Sequence, residues 1–125
     1  MKPNPVVWFE IYVADMVRAK RFYETVLGAT LSKLDDPDGA SEMWAFPMAD
    51  GGDGAAGALV RMDGVAPRCG GPLVYFGCDD CAVEAGRVEA AGGSVARPKF
   101  PIGPFGHIAL VVDTEGNMVG LHSMR

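Results

Sequence analysis

The stretch VVWFEIYVADMVRAKRFYETVLG, residues 6–28, carries the first signal for the fold. Residues 6–13 are rich in β-branched and aromatic side chains, which favours a β-strand. Asp15 is a typical helix N-cap, and Gly28 is a typical helix end. Between these two residues, apolar side chains recur at the spacing of one helix face: Ala19, Phe22, Tyr23, Val26 and Leu27.

A second stretch, LVYFGCDDCAVEAGRVEAAGG, repeats this order in residues 73–93. A strand-like run precedes Asp80, a helical stripe of Cys81, Ala85 and Val88 follows, and Gly93 predicts the helix end. Asp15 and Asp80 lie 65 positions apart, as do Gly28 and Gly93. Few residues are identical, so the evidence for a repeat is the common spacing of its signals.

Each predicted helix is followed by three short strand-like runs separated by turn signals: 29–33, 43–48, 57–62, then 94–97, 107–113 and 118–123. Residues 63–71, rich in Gly and Pro, predict a connector. The chain is therefore predicted to be one α+β domain over 1–125. It would contain two tandem βαβββ modules, about 6–62 and about 72–125.

Composition narrows the classes of function. The 125 residues are 49% hydrophobic and 22% charged, as in ordinary globular domains. A net charge of −5 argues against nucleic-acid binding. No apolar run approaches the roughly 20 residues of a membrane span. Three cysteines do not suggest a disulfide framework, and the start shows no signal-peptide core, so we expect a cytoplasmic protein.

The order of these motifs resembles the vicinal oxygen chelate superfamily, which includes glyoxalases, bleomycin-resistance proteins and dioxygenases. Residues 13–15, Phe22-Tyr23 and Leu27-Gly28 are similar to its first module. Residues 90–95 with Pro98, then Asp113 and 116–117, are similar to its second. Residues 75–80 and 101–106 are closest to a glyoxalase-related branch.

The resemblance implies a cupped eight-stranded mixed sheet, with helices on its outer face and a small-molecule cavity inside, often in a homodimer. Family activities include glyoxalase isomerisation, ring-cleaving dioxygenation, fosfomycin modification and drug sequestration. The enzymes typically hold one divalent metal with His, Glu or Gln side chains.

Those metal positions correspond here to Trp8, Leu73 and Gly120, and residues 57–62 contain no His, Glu or Gln. Indole, isobutyl and hydrogen cannot ligate a divalent cation. The sequence therefore predicts no metal in the usual place, and we expect no other cofactor.

Strand alternation places Glu10, Tyr75 and His122 two residues beyond these vacated positions, on the same predicted faces. A carboxylate near a histidine can orient it as a general base, so these three residues are the predicted catalytic set. The alternative is that Glu10 and His122 are only solvated groups at the cleft mouth.

Further side chains are predicted to contact a ligand. Arg61 could clamp an anionic group, although a rim salt bridge is favoured. Residues 98–106 could form a lid or a packed surface loop. Trp44 is a weaker candidate than Trp8. The predicted ligand contacts are Trp8, Tyr12, Arg61, Leu73, Phe100, Phe105, Ile108, Leu110, Met118 and Gly120.

Other motifs indicate less. His107 is interpreted as a structural histidine. Cys78 and Cys81 match C-x-x-C, but the two intervening aspartates oppose thiolate formation, and with Cys69 no second pair exists for zinc. Residues 51–54 are glycine-rich but lack the Lys-Ser/Thr of a phosphate loop.

The predicted function is binding of a small molecule without the family metal, and a metal-independent enzyme of the lyase or isomerase type is one form of it. One alternative is a non-catalytic protein that sequesters a drug or metabolite, similar to bleomycin-resistance proteins. A second alternative is a metal-dependent lyase or dioxygenase with displaced ligands. The expected partners are a small molecule and a second copy of the chain, with neither nucleic acid nor membrane.

Overall fold

The computed structural model describes residues 1–67 and 71–125. These residues form eight strands and two α-helices in the predicted order, which confirms the α+β class and the two βαβββ modules. No helix in the described ranges is long and apolar enough to cross a bilayer. The elements are β1 Val6–Tyr12, α1 Met16–Leu27, β2 Ser32–Leu34, β3 Ser41–Ala45, β4 Ala56–Met62, β5 Leu73–Gly77, α2 Cys81–Ala85, β6 Ser94–Pro101, β7 His107–Val112 and β8 Met118–Ser123.

The chain divides into two compact units. The first unit is Trp8–Pro72, and the second is Met1–Val7 with Leu73–Arg125. The strands of the first unit lie in the order β2-β3-β4-β1, and those of the second in the order β5-β8-β7-β6. Each unit mixes both kinds of pairing, because β1 pairs with β4 and β5 pairs with β8 in parallel, while their other pairs are antiparallel.

The two helix starts confirm the repeat. Asp15 is extended, with φ −132°, and its carboxylate accepts a bond from the backbone N–H of Arg18 at 3.0 Å. Asp80 has φ −142° and accepts from the N–H of Ala82, also at 3.0 Å. Gly28 ends α1 in the left-handed conformation, φ 61°, which glycine adopts without steric cost.

The core of the first unit lies between α1 and its sheet. Val13, Met16, Leu31 and Leu59 are buried there, and α1 contributes Ala19 and Tyr23 beside them. The prediction of which α1 residues face the core is partly wrong. The α1 residues that pack in the core are Met16, Ala19 and Tyr23. Three residues of the predicted stripe are 57–63% exposed: Phe22, Val26 and Leu27.

Trp44 also belongs to the α1 side of the sheet. Its side chain packs against the core of the first unit, and the Lys20 ammonium lies 3.3 Å from its ring centroid. Its indole N–H donates to the Glu42 carboxylate at 2.9 Å. Trp44 therefore does not share the face on which Trp8 lies.

The second unit has its own core, formed by Cys81, Ala85, Ala109, Val111 and Leu121. Helix α2 is shorter than predicted and ends at Ala85. Beyond it, the N–H groups of Val88, Ala91 and Gly92 bond three residues back, so the chain continues as successive turns up to Gly92. Strand β6 is longer than predicted, so residues 98–101 are strand rather than loop.

We expect Asp15→Ala to lower the free energy of unfolding by about 1 kcal/mol, because the N–H of Arg18 loses its acceptor. Urea denaturation would measure the loss. Asp15→Asn is the matched control and should keep most of the stability, because asparagine also caps helices. Equal midpoints for Asp15→Ala and the unaltered chain would contradict this account of the helix start.

Candidate functional site

Strand β1 presents three polar-tipped side chains on one face of the first unit. Ile11 points to the α1 side and packs in its core. Because side chains alternate along a strand, Trp8, Glu10 and Tyr12 point to the opposite side. Their Cα partners on β4 are the small or apolar Ala56, Ala58 and Val60. We call this side the Glu10 face.

The carboxylate of Glu10 is held by its two neighbours on that face. The indole N–H of Trp8 donates to Oε2 at 3.2 Å, and the hydroxyl of Tyr12 donates to Oε1 at 2.7 Å. Glu10 itself is only 9% exposed. Both donors lie on β1, the same strand as the carboxylate that they hold.

The environment of Tyr12 keeps its hydroxyl group a hydrogen-bond donor. Burial raises the pKa of its hydroxyl far above the usual value, and the nearby charge of the Glu10 carboxylate raises that pKa further. The hydroxyl is therefore protonated throughout the neutral pH range. It can keep its hydrogen bond to Glu10 over that range.

The second unit brings another predicted group together. Tyr75 lies opposite Gly120, which lies opposite Leu110, in one row across β5, β8 and β7. In the next row, Gly77, His122 and Ile108 lie side by side. We call this side the Tyr75 face; it also carries Leu73, Met118 and Phe100.

The Tyr75 ring packs closely over Gly120. A Cβ atom built on Gly120 would fall among the ring atoms of Tyr75, within contact distances that real side chains do not show. The absence of a side chain at 120 is therefore what allows Tyr75, 6% exposed, to lie flat on β8. A metal-ligating side chain at 120 would displace that ring.

His122 is anchored by the turn that precedes β7. Its Nε2 lies 2.6 Å from the carbonyl oxygen of Phe105, in the 3₁₀ turn Gly103–Phe105. A carbonyl only accepts, so Nε2 carries the proton and donates. In the neutral ring, Nδ1 then has the lone pair and is the nitrogen able to accept a proton.

Within the first unit, Arg61 lies on the side of the sheet opposite the Glu10 face. Its Cα partner is Glu42, and it shares its side of β4 with the core residue Leu59, on the α1 side. Its guanidinium lies 3.7 Å from a carboxylate oxygen of Asp63, and its side chain is 50% exposed. The rim salt bridge favoured by the sequence is the contact that the structure shows.

The Cys78 thiol of the C-x-x-C motif is not activated. Burial raises the pKa of Cys78 to about 11, and the neighbouring charge of Glu84 adds to the shift. Cys81 is fully buried in the core.

His107 points into the second unit, with its Nδ1 buried and without a hydrogen-bond partner among the described residues. Cys69 lies outside the described residues.

Sequence reasoning missed two features. One is the pair of donors on Glu10, which needed side-chain geometry to be seen. The other is Arg97, whose Cα partner is Leu110 on the Tyr75 face. Simple alternation along β6 would place Arg97 on the other side, with Val95; Pro98 and Pro101 were the available sign that this strand is irregular.

Comparison with known proteins agrees with this architecture. A sequence model of the Glyoxalase/Bleomycin resistance protein/Dioxygenase superfamily matches residues 6–121. The chain therefore belongs to that superfamily, as the resemblance in the sequence implied.

Two relatives illustrate the range of lengths. A Vibrio cholerae protein named “Probable lactoylglutathione lyase” is 31% identical over 128 residues, covering 97% of this chain and 91% of the relative. CFP32 of Mycobacterium bovis, provisionally named a glyoxylase, is 29% identical over 116 residues. That match covers 91% of this chain but 43% of CFP32, so this chain spans less than half of it.

Solved structures show the same fold at low identity. Methylmalonyl-CoA epimerase from Mycobacterium tuberculosis aligns with a TM-score of 0.71 at 18% identity, over 100% of this chain and 93% of that one. A hypothetical protein from Bacillus halodurans aligns with a TM-score of 0.75 at 14% identity, over 99% and 96%. These likenesses concern the fold alone.

The donor set does not fit the divalent metal that this superfamily implies. The indole N–H of Trp8 is a donor already directed at Glu10, and Gly120 lies beneath Tyr75. Within residues 1–67 and 71–125, no three His, Cys, Asp or Glu side chains are grouped so that they could hold a metal ion.

We expect the purified protein to contain far less than one divalent metal per chain, because the three family positions cannot ligate. Elemental analysis by mass spectrometry would measure this, and EDTA should leave the melting temperature unchanged. About one zinc, nickel, iron or manganese per chain, lost with EDTA together with thermal stability, would show that the prediction is wrong.

We also expect neutral His122 to carry its proton on Nε2, because the Phe105 carbonyl needs a donor. Long-range ¹H–¹⁵N NMR spectra of the neutral ring distinguish the two tautomers. His122→Gln assigns the signal, leaving His107 as the other ring. A proton found on Nδ1 of His122 would contradict the hydrogen bond to the turn.

Proposed function

We propose that this chain is a small-molecule enzyme of the lyase or isomerase type that transfers a proton with side chains rather than through a metal. The observation that carries the proposal is the Glu10 carboxylate, 9% exposed and oriented by Trp8 and Tyr12. A positioned carboxylate in a site with little water is a suitable general base for a carbon acid.

The hydrogen bonds of Glu10 are compatible with that role. A carboxylate has roughly four acceptor positions, so holding donors does not prevent it from taking a proton. Tyr12 cannot compete as the base, because its raised pKa keeps the hydroxyl protonated. We therefore assign proton abstraction to Glu10 and orientation of its carboxylate to Trp8 and Tyr12.

His122 and Tyr75 are proposed as further acid–base groups, carried by the second unit. The Phe105 carbonyl supports this role for His122, because it selects the tautomer in which Nδ1 can accept a proton. The Tyr75 hydroxyl is the proposed donor to a substrate oxygen. The printed names of the relatives, a lyase and an epimerase, support the same reaction class.

A second candidate function is sequestration of a cationic compound. Two aromatic side chains flank a carboxylate on the Glu10 face, and cations bind such combinations of ring faces and negative charge. This function would need binding without turnover. We also propose that the chain forms a homodimer and is located in the cytoplasm, as expected from the sequence.

The test is exchange of a carbon-bound proton with solvent. Lactoylglutathione and methylmalonyl-CoA, the compounds in the names of the relatives, would be incubated with the protein in D₂O and followed by NMR. We expect deuterium incorporation, and we expect Glu10→Gln to slow it by about 100-fold or more, the usual contribution of a general base.

Glu42→Gln is the matched control, because Glu42 also accepts from a tryptophan indole, but on the α1 side. It should leave the exchange rate unchanged, with both variants melting as the unaltered chain does. Exchange that persists in Glu10→Gln would overturn the assignment of the base. Tight binding of cationic ligands with no exchange of either compound would favour sequestration.

A further inference from the structure

Strand β6, at the edge of the second unit, is irregular in two places. Its pairing with β7 shifts between Val95 and Arg97, and again between Arg97 and Phe100. At each shift β6 contains one more residue than β7 between paired positions. These are β-bulges, which commonly turn a side chain toward a site.

The first bulge reverses the direction of Arg97. Val95 lies opposite Val111 and packs on the core beneath α2. Regular alternation would also point Arg97 into that core, where an unpaired charge is costly. The extra residue instead places Arg97 opposite Leu110, on the Tyr75 face.

The second bulge adds an aromatic partner. It places Phe100, three positions after Arg97, opposite Ile108 and therefore on the same face. The guanidinium carbon of Arg97 lies 3.5 Å from the centroid of the Phe100 ring, so the cation is stacked on the ring. Stacking holds the planar guanidinium in place while its N–H groups remain at the edge of the plane.

The charge of Arg97 is not matched within the described ranges. The ion pairs there are Arg61 with Asp63 and Lys99 with Asp80, and neither involves Arg97. Its neighbours on the face, Leu110 and Ile108, are apolar. The chain as a whole is acidic, with net charge −5, so an anion would be held here by local contacts and not by the overall charge.

Arg97 also lies in line with a proposed acid–base residue. Arg97, Leu110, Gly120 and Tyr75 form one row across β6, β7, β8 and β5. Three strand spacings separate the ends of that row, roughly 14 Å between Cα atoms. The Tyr75 ring already covers Gly120, so Leu110 is the apolar surface left between that ring and Arg97 for the body of a small molecule.

We propose that Arg97 is the anion anchor of this face, binding the carboxylate or phosphate of a small organic acid whose apolar part lies along Leu110. This inference deepens the proposed function, since it names the substrate class. A bidentate contact from the stacked guanidinium would supply both affinity and orientation.

The test is NMR titration of the full chain with three probes of similar shape: phenylacetate, phenyl phosphate and the neutral phenylacetamide. We expect the two anions, but not the amide, to shift the Arg97 Nε–H signal and the amide signals of Leu110 and Gly120. A stronger response to phenylacetate identifies a carboxylate, and a stronger response to phenyl phosphate identifies a phosphate.

Arg97→Gln should weaken binding of the tighter-binding anion at least about tenfold, in line with loss of a charged hydrogen bond. Arg97→Lys keeps the charge but loses the planar fork, so it should recover only part of that affinity. Arg61→Gln is the control and should change nothing. Melting temperatures confirm that each variant is folded.

Equal shifts with phenylacetamide, unchanged affinity in Arg97→Gln, or no shift at Arg97 with any probe would overturn the anchor. The deuterium exchange assay distinguishes this failure from failure of the proposed function. If deuterium exchange depends on Glu10 but anion binding does not depend on Arg97, only the assignment of Arg97 as the anion anchor is wrong. If the anions bind through Arg97 and no exchange occurs, only the enzymatic role is wrong.

Discussion

Period-two alternation of side chains is the constraint on which the rest of this structure depends. On β1, Ile11 must face α1 to complete the core of the first unit, and Glu10 must then face away. A register slip of one residue would bury the carboxylate under the helix and expose its apolar neighbours. The same alternation of side chains along β1 therefore determines both the packing of the core and the geometry of the site.

A related constraint explains why the Tyr75 face has no metal donor at position 120. The Tyr75 ring occupies the space above Gly120, and a side chain there would meet the ring atoms. A metal-ligating side chain at position 120 would therefore require Tyr75 to leave its position.

Strand β6 shows how a departure from alternation can serve a site. Its two bulges move Arg97 from the core side to the Tyr75 face and bring Phe100 beneath it. An edge strand tolerates such irregularity because one side of it has no ladder to disrupt. The cation is thus positioned without a change in the core residues around α2.

The sequence by itself determined the repeat, both helix starts and which side chains point the same way within each of β1, β5 and β8, because caps and alternation are local. The sequence prediction was wrong about which α1 residues are buried and about the length of α2. Apolar spacing alone does not show which side of a helix packs against the sheet. Only the tertiary structure decided that Trp8 and Tyr12 clamp Glu10 and that Phe105 selects the tautomer of His122. It also decided that Arg97 faces Leu110, since hydrogen-bond directions and bulges arise only when strands pair.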